Sequence, residues 1–202
     1  MKSKRRNVTG GCPVMNFPDR VETLDFSDGY NASLMKKFIQ EGRWGIGGYL
    51  EKRTGMYTAP QYENRRNIHM GVDIWAPAEE PVFSPLPGQI IYKDFHDQPG
   101  NYGGTMVLEH RMQGESLYAL YGHLSKDSVG AAGIGKNLKA GEQLARLGDW
   151  RENGNWQPHL HLQLSLHDPG KADMPGVVAA DQLETAKLNY PDPKILIGDW
   201  YS

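Results

Sequence analysis

Near the end of this chain of 202 residues, the run HLHLQLSL (159–166) alternates four leucines with His159, His161, Gln163 and Ser165. Successive side chains of a strand point to opposite faces, so this pattern has the period of a sheet and not of a helix. Leu160, Leu162, Leu164 and Leu166 are expected to enter an apolar core. His159 and His161 then share the opposite face, with Cα atoms roughly 6.5–7 Å apart.

The rest of the central region follows the same logic. Between 68 and 166, the runs GVDIWA, PVFSP, GQIIYKDF, GTMVLEHR, ESLYALYGHL and EQLARLGD are short β-type segments split by Gly, Pro and Asn. With 24 glycines and 13 prolines, the chain reads as mainly β, an antiparallel sandwich-like sheet with two peripheral helices. The first helix is expected over 31–42, with Asn31 as N-cap, Leu34, Phe38 and Ile39 as its apolar face, and Gly42 as its stop. The second is expected over 177–188. Residues 44–53 suggest a first strand, residues 1–29 are expected to be irregular, and residues 189–202 are read as a coil packed across the domain.

The balance of charge restricts the partners. The net charge is −2 and the pI about 6.4, so nothing favours nucleic acid or an anionic membrane surface. No apolar run approaches the ~20 residues of a membrane span. The basic start MKSKRR lacks the apolar stretch of an export signal and reads as a solvated terminus. A cytoplasmic location is the resulting expectation, with the cell envelope or periplasm as the alternative if a leader has been removed. The single cysteine, Cys12, excludes a thiolate-rich metal site, so any metal here must use histidine and carboxylate.

His69 and Asp73 in HMGVD are four apart. Gly71, Val72, Ile74 and Pro77 favour extended chain there, and positions i and i+4 of a strand share a face. Two histidines and one carboxylate make the three-ligand set of a catalytic zinc site with an open fourth position, and a mixed N/O set suits zinc among the divalent ions. Taken singly, each pair also fits a surface salt bridge or two solvent-facing histidines. His123 follows the apolar strand LYALYG. His96, His110 and His167 have no motif partner and read as surface or sheet-edge residues. Gly71 and Gly122 are expected to allow close approach or unusual backbone angles.

Together HMGVDIWAPAEEPVFSPLPGQI, NYGGTMVLEH, LYALYGHLS, KNLKAGEQLARLGD and QPHLHLQLSL resemble, in order, the lysostaphin-like or LytM-type zinc metallopeptidases that cleave peptidoglycan. The resemblance covers about residues 65–167. It implies a sandwich-like fold of the duplicated hybrid motif type with a long cleft. It also implies Zn2+ held by His69, Asp73 and His161, and His123 and His159 as the two catalytic histidines. The implied substrate is a peptide or peptidoglycan fragment. The chain then divides into an N-terminal extension with one helix (1–60), a metallopeptidase core (61–168) and a C-terminal extension (169–202). Tyr62 could supply a further donor, although a packing or surface role suits it better. Trp75 and Trp156 fit either a cleft wall or the core.

Two stretches, on either side of PHLH, depart from the family pattern, the second beginning with Leu162 where an aromatic is usual. Trp156 and Gln157 stand where a Ser/Thr-Gly pair is common before PHLH, and Gln163 stands where a glutamate is usual. Loss of that negative charge weakens any orienting role the residue has. The alternative to a peptidase is a non-catalytic metal-binding module of the same fold. A phosphohistidine carrier needs no carboxylate ligand, so Asp73 argues against that class. The sequence carries no signal of oligomeric state.

Overall fold

The computed structural model describes residues 11–200 apart from residue 64; MKSKRR lies outside the described residues. In chain order the elements are β1 (Glu22–Leu24), α1 (Ala32–Gln40), β2 (Gly45–Gly47), a 3-10 turn (Pro60–Tyr62), β3 (Ile68–His69) and β4 (Val72–Trp75). There follow β5 (Pro81–Phe83), β6 (Gly88–His96), β7 (Gly103–Met112), β8 (Glu115–Leu124), α2 (Lys126–Ala131), β9 (Asn137–Leu138) and β10 (Gln143–Arg146). The chain continues through β11 (His159–Ser165), β12 (Val177–Val178), a 3-10 turn (Ala180–Gln182), α3 (Leu183–Asn189) and α4 (Lys194–Ile197).

The fold is mainly β and sandwich-like. Among the described residues, eight strands form one sheet in the order β1-β2-β4-β11-β8-β7-β6-β9. All its pairings are antiparallel except β1 with β2. The pair β5–β10 stacks its apolar residues on this sheet: Val82, Ala145 and the adjoining Leu147 share one core with Ile74, Leu108, Leu160 and Leu162. Burial of that layer is the main stabilising contribution, at about 25 cal/mol per Å² of apolar surface. The opposite face of β4, β11 and β8 carries the polar groups described below.

β11 follows the alternation read from its sequence. Leu160, Leu162 and Leu164 are fully buried. Leu166 is not: it lies past the last ladder pair, its N–H bonds to Asn189 O, and its side chain is 48% exposed.

Other expectations need correction. α1 begins after Asn31 as expected, with Asn31 Oδ1 accepting from the N–H groups of Ser33 and Leu34. Its buried face, however, is Met35 and Phe38, while Leu34 is 66% exposed. The strand expected over 44–53 is only three residues long, because the chain turns after Gly47. A helix does not start at 177: Val177 and Val178 pair with His69 and Ile68 as a strand, and α3 begins only at Leu183. Residues 22–24 form a strand inside the segment expected to be irregular. α2 and the one-turn α4 add to the expected pair of helices. No helix among the described residues is long and apolar enough to cross a membrane.

Candidate metal centre

Sheet register brings the first two groups together. β4 and β11 pair so that Asp73 lies opposite His161 and Trp75 opposite His159. On the other side of β11, His161 lies opposite Gly122 of β8. β3 delivers His69 just before the chain enters β4. The outcome is a cluster of three potential metal ligands, His69, Asp73 and His161, whose ligand atoms all lie within 4.8 Å of one another.

The individual distances are shorter than that. His69 Nε2 is 3.2 Å from Asp73 Oδ1, His161 Nδ1 is 3.1 Å from the same oxygen, and the two ring nitrogens are 3.0 Å apart. Ligands at the 2.0–2.2 Å of a tetrahedral zinc site stand about 3.3 Å from each other, so the three atoms already have nearly the right spacing.

Hydrogen bonds on the far side of each ring select the tautomer. His69 Nδ1–H donates to Gly48 O at 3.0 Å, leaving Nε2 as a lone pair. His161 Nε2–H donates to Gln163 Oε1 at 3.0 Å, leaving Nδ1 as a lone pair. Three electron-rich atoms therefore converge with no proton of their own between them, an arrangement that a cation relieves. The donor set fits zinc.

The two remaining histidines are oriented in the same manner. His123 Nδ1–H donates to Asn153 O at 3.0 Å, and His159 Nδ1–H to Gln157 O at 2.7 Å. Both rings thus turn Nε2 away from the backbone that holds them. The rings lie 4.0 Å apart, and His159 Nε2 is 3.9 Å from Asp73 Oδ1. Trp75 covers the other face of His159, with ring centroids 4.1 Å apart. His123 occupies left-handed backbone at φ 62°, uncommon for a side-chain-bearing residue.

None of the five groups is more than 5% exposed. They line a cleft of about 460 Å³, shared with Tyr57, Tyr62, Trp156, Lys171 and Met174. Tyr62 OH donates to Gly100 O and Gln61 Nε2 to Pro99 O at 3.2 Å, which ties the 3-10 turn to the segment at 99–100 beside the site. Gly71 and Gly122 serve close approach. A Cβ on Gly71 would meet His161 Cε1 at 2.6 Å, and one on Gly122 would meet Tyr102 Cδ1 at 2.8 Å.

Burial governs the protonation states. Desolvation pushes His69 and His159 down to about 4, the Arg53 charge adding to the effect at His69. Desolvation also holds His123 well below its ordinary value, reinforced by the neighbouring His159. For Asp73, desolvation opposes ionisation, but the electrostatic effects of the adjacent His69 ring and of the Arg53 guanidinium outweigh it and hold the carboxyl well below its usual range.

Sequence reasoning missed Arg53, Tyr57 and Asn153. Arg53 is fully buried and donates from Nη1 to Asp73 Oδ2 at 2.6 Å. His110 needs correction: it is fully buried inside the sheet, bonded to Pro87 O and near Tyr121 OH, because β7 is flanked by strands on both sides. His167 is exposed, and His96, half-buried, bonds to Ala172 O.

These observations meet independent comparisons. Residues 67–173 match the family described as Peptidase family M23. The chain is 32% identical over 101 residues to the DD-carboxypeptidase/endopeptidase Mpg of Neisseria meningitidis, covering 50% of this chain and 20% of Mpg. It is 33% identical over 112 residues to the peptidoglycan DD-endopeptidase ShyB of Vibrio cholerae, covering 53% of this chain and 24% of ShyB. The chain thus spans only a fifth to a quarter of the length of these curated relatives. Among solved structures, the catalytic domain of lysostaphin from Staphylococcus simulans aligns with a TM-score of 0.48 at 18% identity, covering 78% of this chain and 98% of that one. With a match that runs across His69, Asp73, His123, His159 and His161, the chain belongs to peptidase family M23.

Proposed function

We propose that this member of the M23 family is a zinc-dependent endopeptidase that cleaves peptide bonds in peptidoglycan or a related peptide. The observation that carries the reading is the convergence of three lone pairs, His69 Nε2, Asp73 Oδ1 and His161 Nδ1, at 3.0–3.2 Å from one another. In this reading those three residues hold the metal, and His123 and His159 are the catalytic pair. The core at 61–168 carries the ligands, and the flanks 1–60 and 169–202 contribute Gly48, Arg53 and the cleft wall at Lys171.

Zinc bound there supplies Lewis acidity to a peptide carbonyl and makes a water acidic enough to ionise near neutral pH. The residues of the chain do the rest. His123 and His159 are neutral at pH 7, so each Nε2 can accept a proton. One takes a proton from the attacking water and passes a proton to the leaving amine. The other, likewise neutral with its lone pair on Nε2, can accept a hydrogen bond from the attacking water or the leaving amine and hold it in line. Trp75 and the backbone carbonyls of Gln157 and Asn153 keep the pair aimed. Burial of these groups lowers the local dielectric, which strengthens each of these interactions.

The test is direct. Purified full-length chain, its metal content measured by mass spectrometry, is incubated with isolated peptidoglycan sacculi, and soluble products are identified by mass. The expected result is one zinc per chain and release of fragments cut at a peptide bond, abolished in His159→Ala. Zinc without cleavage of sacculi or of the oligopeptides tried beside them would favour the non-catalytic module. Absence of zinc would reject the ligand set.

A further inference from the structure

Arg53 reaches the metal centre from behind. Its guanidinium is fully buried and held on several sides. Nε donates to Glu51 Oε2, whose partner oxygen accepts from the Phe26 N–H at 2.9 Å. Nη1 donates both to Asp73 Oδ2 at 2.6 Å and to the Tyr57 hydroxyl oxygen at 2.9 Å. The guanidinium carbon also sits 5.4 Å above the Phe26 ring.

This divides the Asp73 carboxylate into two jobs. Oδ2 is occupied by Arg53, and Oδ1 alone faces His69 and His161. A free carboxylate can rotate or offer both oxygens to an ion. One whose outer oxygen is clamped by a buried guanidinium presents a single oxygen in a single direction. We propose that Arg53 is a positioning residue that fixes Asp73 as a one-oxygen metal ligand before the ion arrives. The inference rests on the zinc reading above and goes beyond it by assigning the ligand geometry to a residue outside the ligand set.

Charge and geometry predict opposite signs here. As a bare positive charge, Arg53 repels a dication and drains the carboxylate, so its charge alone weakens zinc binding. As a clamp it strengthens zinc binding by removing the cost of ordering the ligand. Arg53→Lys keeps the charge and removes the fork, so it isolates the geometry.

The experiment measures zinc dissociation constants for the full chain by competition with a chromogenic chelator. It is run on wild type, Arg53→Lys and Glu51→Gln, with the unfolding temperature of each metal-free protein recorded alongside. Folded Arg53→Lys is expected to bind zinc about tenfold more weakly, the usual scale for groups that orient a ligand. Its cobalt(II) form is expected to show a visible spectrum altered in intensity, which a role confined to packing does not produce. Unchanged or tighter zinc binding by folded Arg53→Lys overturns the proposal. Should that variant fail to fold, Glu51→Gln decides: it leaves an oxygen for Nε but removes the charge that anchors the guanidinium, and a loss of about threefold is expected. No loss there overturns the proposal. A wild type that binds no zinc overturns the functional reading itself, and is separable from the variant results because the variants are judged only against a zinc-binding parent.

Discussion

Trp75 and His159 stack face to face, with ring centroids 4.1 Å apart and planes inclined by 17°. Register makes this contact, since the two residues are directly opposed on β4 and β11. An aromatic face attracts a cation by about 0.5–2 kcal/mol, so Trp75 favours the protonated ring that burial disfavours. Trp75→Leu should lower kcat about tenfold and move the acidic limb of the kcat/KM profile to lower pH. Trp75→Phe, which keeps a ring face, should retain most of the rate. Equal profiles for the two variants would reduce Trp75 to a core residue.

Removing Asp73 and removing His69 should differ in kind. On the proposed ligand set, both substitutions should abolish stoichiometric zinc binding. Asp73→Ala also leaves Arg53 buried beside Glu51 without its second carboxylate. Breaking a buried pair from one side costs about 3–5 kcal/mol. His69→Ala strands no charge, and its cost should stay at about 1–3 kcal/mol. Urea unfolding of the two metal-free proteins checks the order, and a His69→Ala protein less stable than Asp73→Ala would contradict it.

Gln163 accepts from His161 Nε2–H at 3.0 Å. Gln163→Leu removes that acceptor inside a buried site and should weaken zinc binding by about 10–100-fold. Gln163→Glu makes the bond charge-assisted and should tighten zinc binding, while destabilising the metal-free protein through a buried carboxylate. Calorimetric titration with zinc separates the two effects. Identical affinities across the three proteins would show that the ring orientation does not depend on this side chain.

Acid should destabilise the metal-free protein well before its carboxylates titrate. His69 and His159 have folded values near 4, below the unfolded value of 6.5, and His123 is lowered too. Above pH 6.5 both states are neutral at these rings and nothing is lost. As pH falls from 6.5 toward 4, the unfolded chain binds protons that the folded chain refuses, and stability falls by up to about 1.4 kcal/mol per pH unit for each ring. Asp73 acts in the same direction at lower pH: its lowered value contributes stability that is present above about 4 and is lost as the pH drops below that. Denaturant midpoints from pH 7.5 to 4.5 test this, and a flat curve would contradict the buried neutral rings.

His123 sits at φ 62°. A left-handed non-glycine residue costs of order 1 kcal/mol, so His123→Gly should be more stable than His123→Ala by about that amount. Both should be inactive. Thermal unfolding of the pair suffices as the measurement.

The sequence showed what periodicity and spacing encode. Alternation in 159–165 carried the strand, its leucine face and the shared side of His159 and His161. The four-residue spacing of His69 and Asp73 placed them together once the segment was taken as extended. Arg53 was hidden because its partner Asp73 lies 20 residues on, across an irregular segment with no period. The carbonyls of Gly48, Asn153 and Gln157 were hidden because main-chain acceptors leave no mark on residue type. Val177 and Val178 misled for a different reason. Their run has helical spacing, but pairing with Ile68 and His69 overrides local preference. His110 reads as peripheral only until β6 and β8 close over both edges of its strand.

Three of the four imidazoles take their orientation from backbone oxygens, which every amino acid supplies. Side chains at 48, 153 and 157 can therefore drift without turning those rings, provided the loops keep their path. His161 alone depends on a neighbour's functional group. Position 163 is accordingly where a single codon change can turn a ring of the candidate metal centre, while the other three rings are insured by the course of the chain.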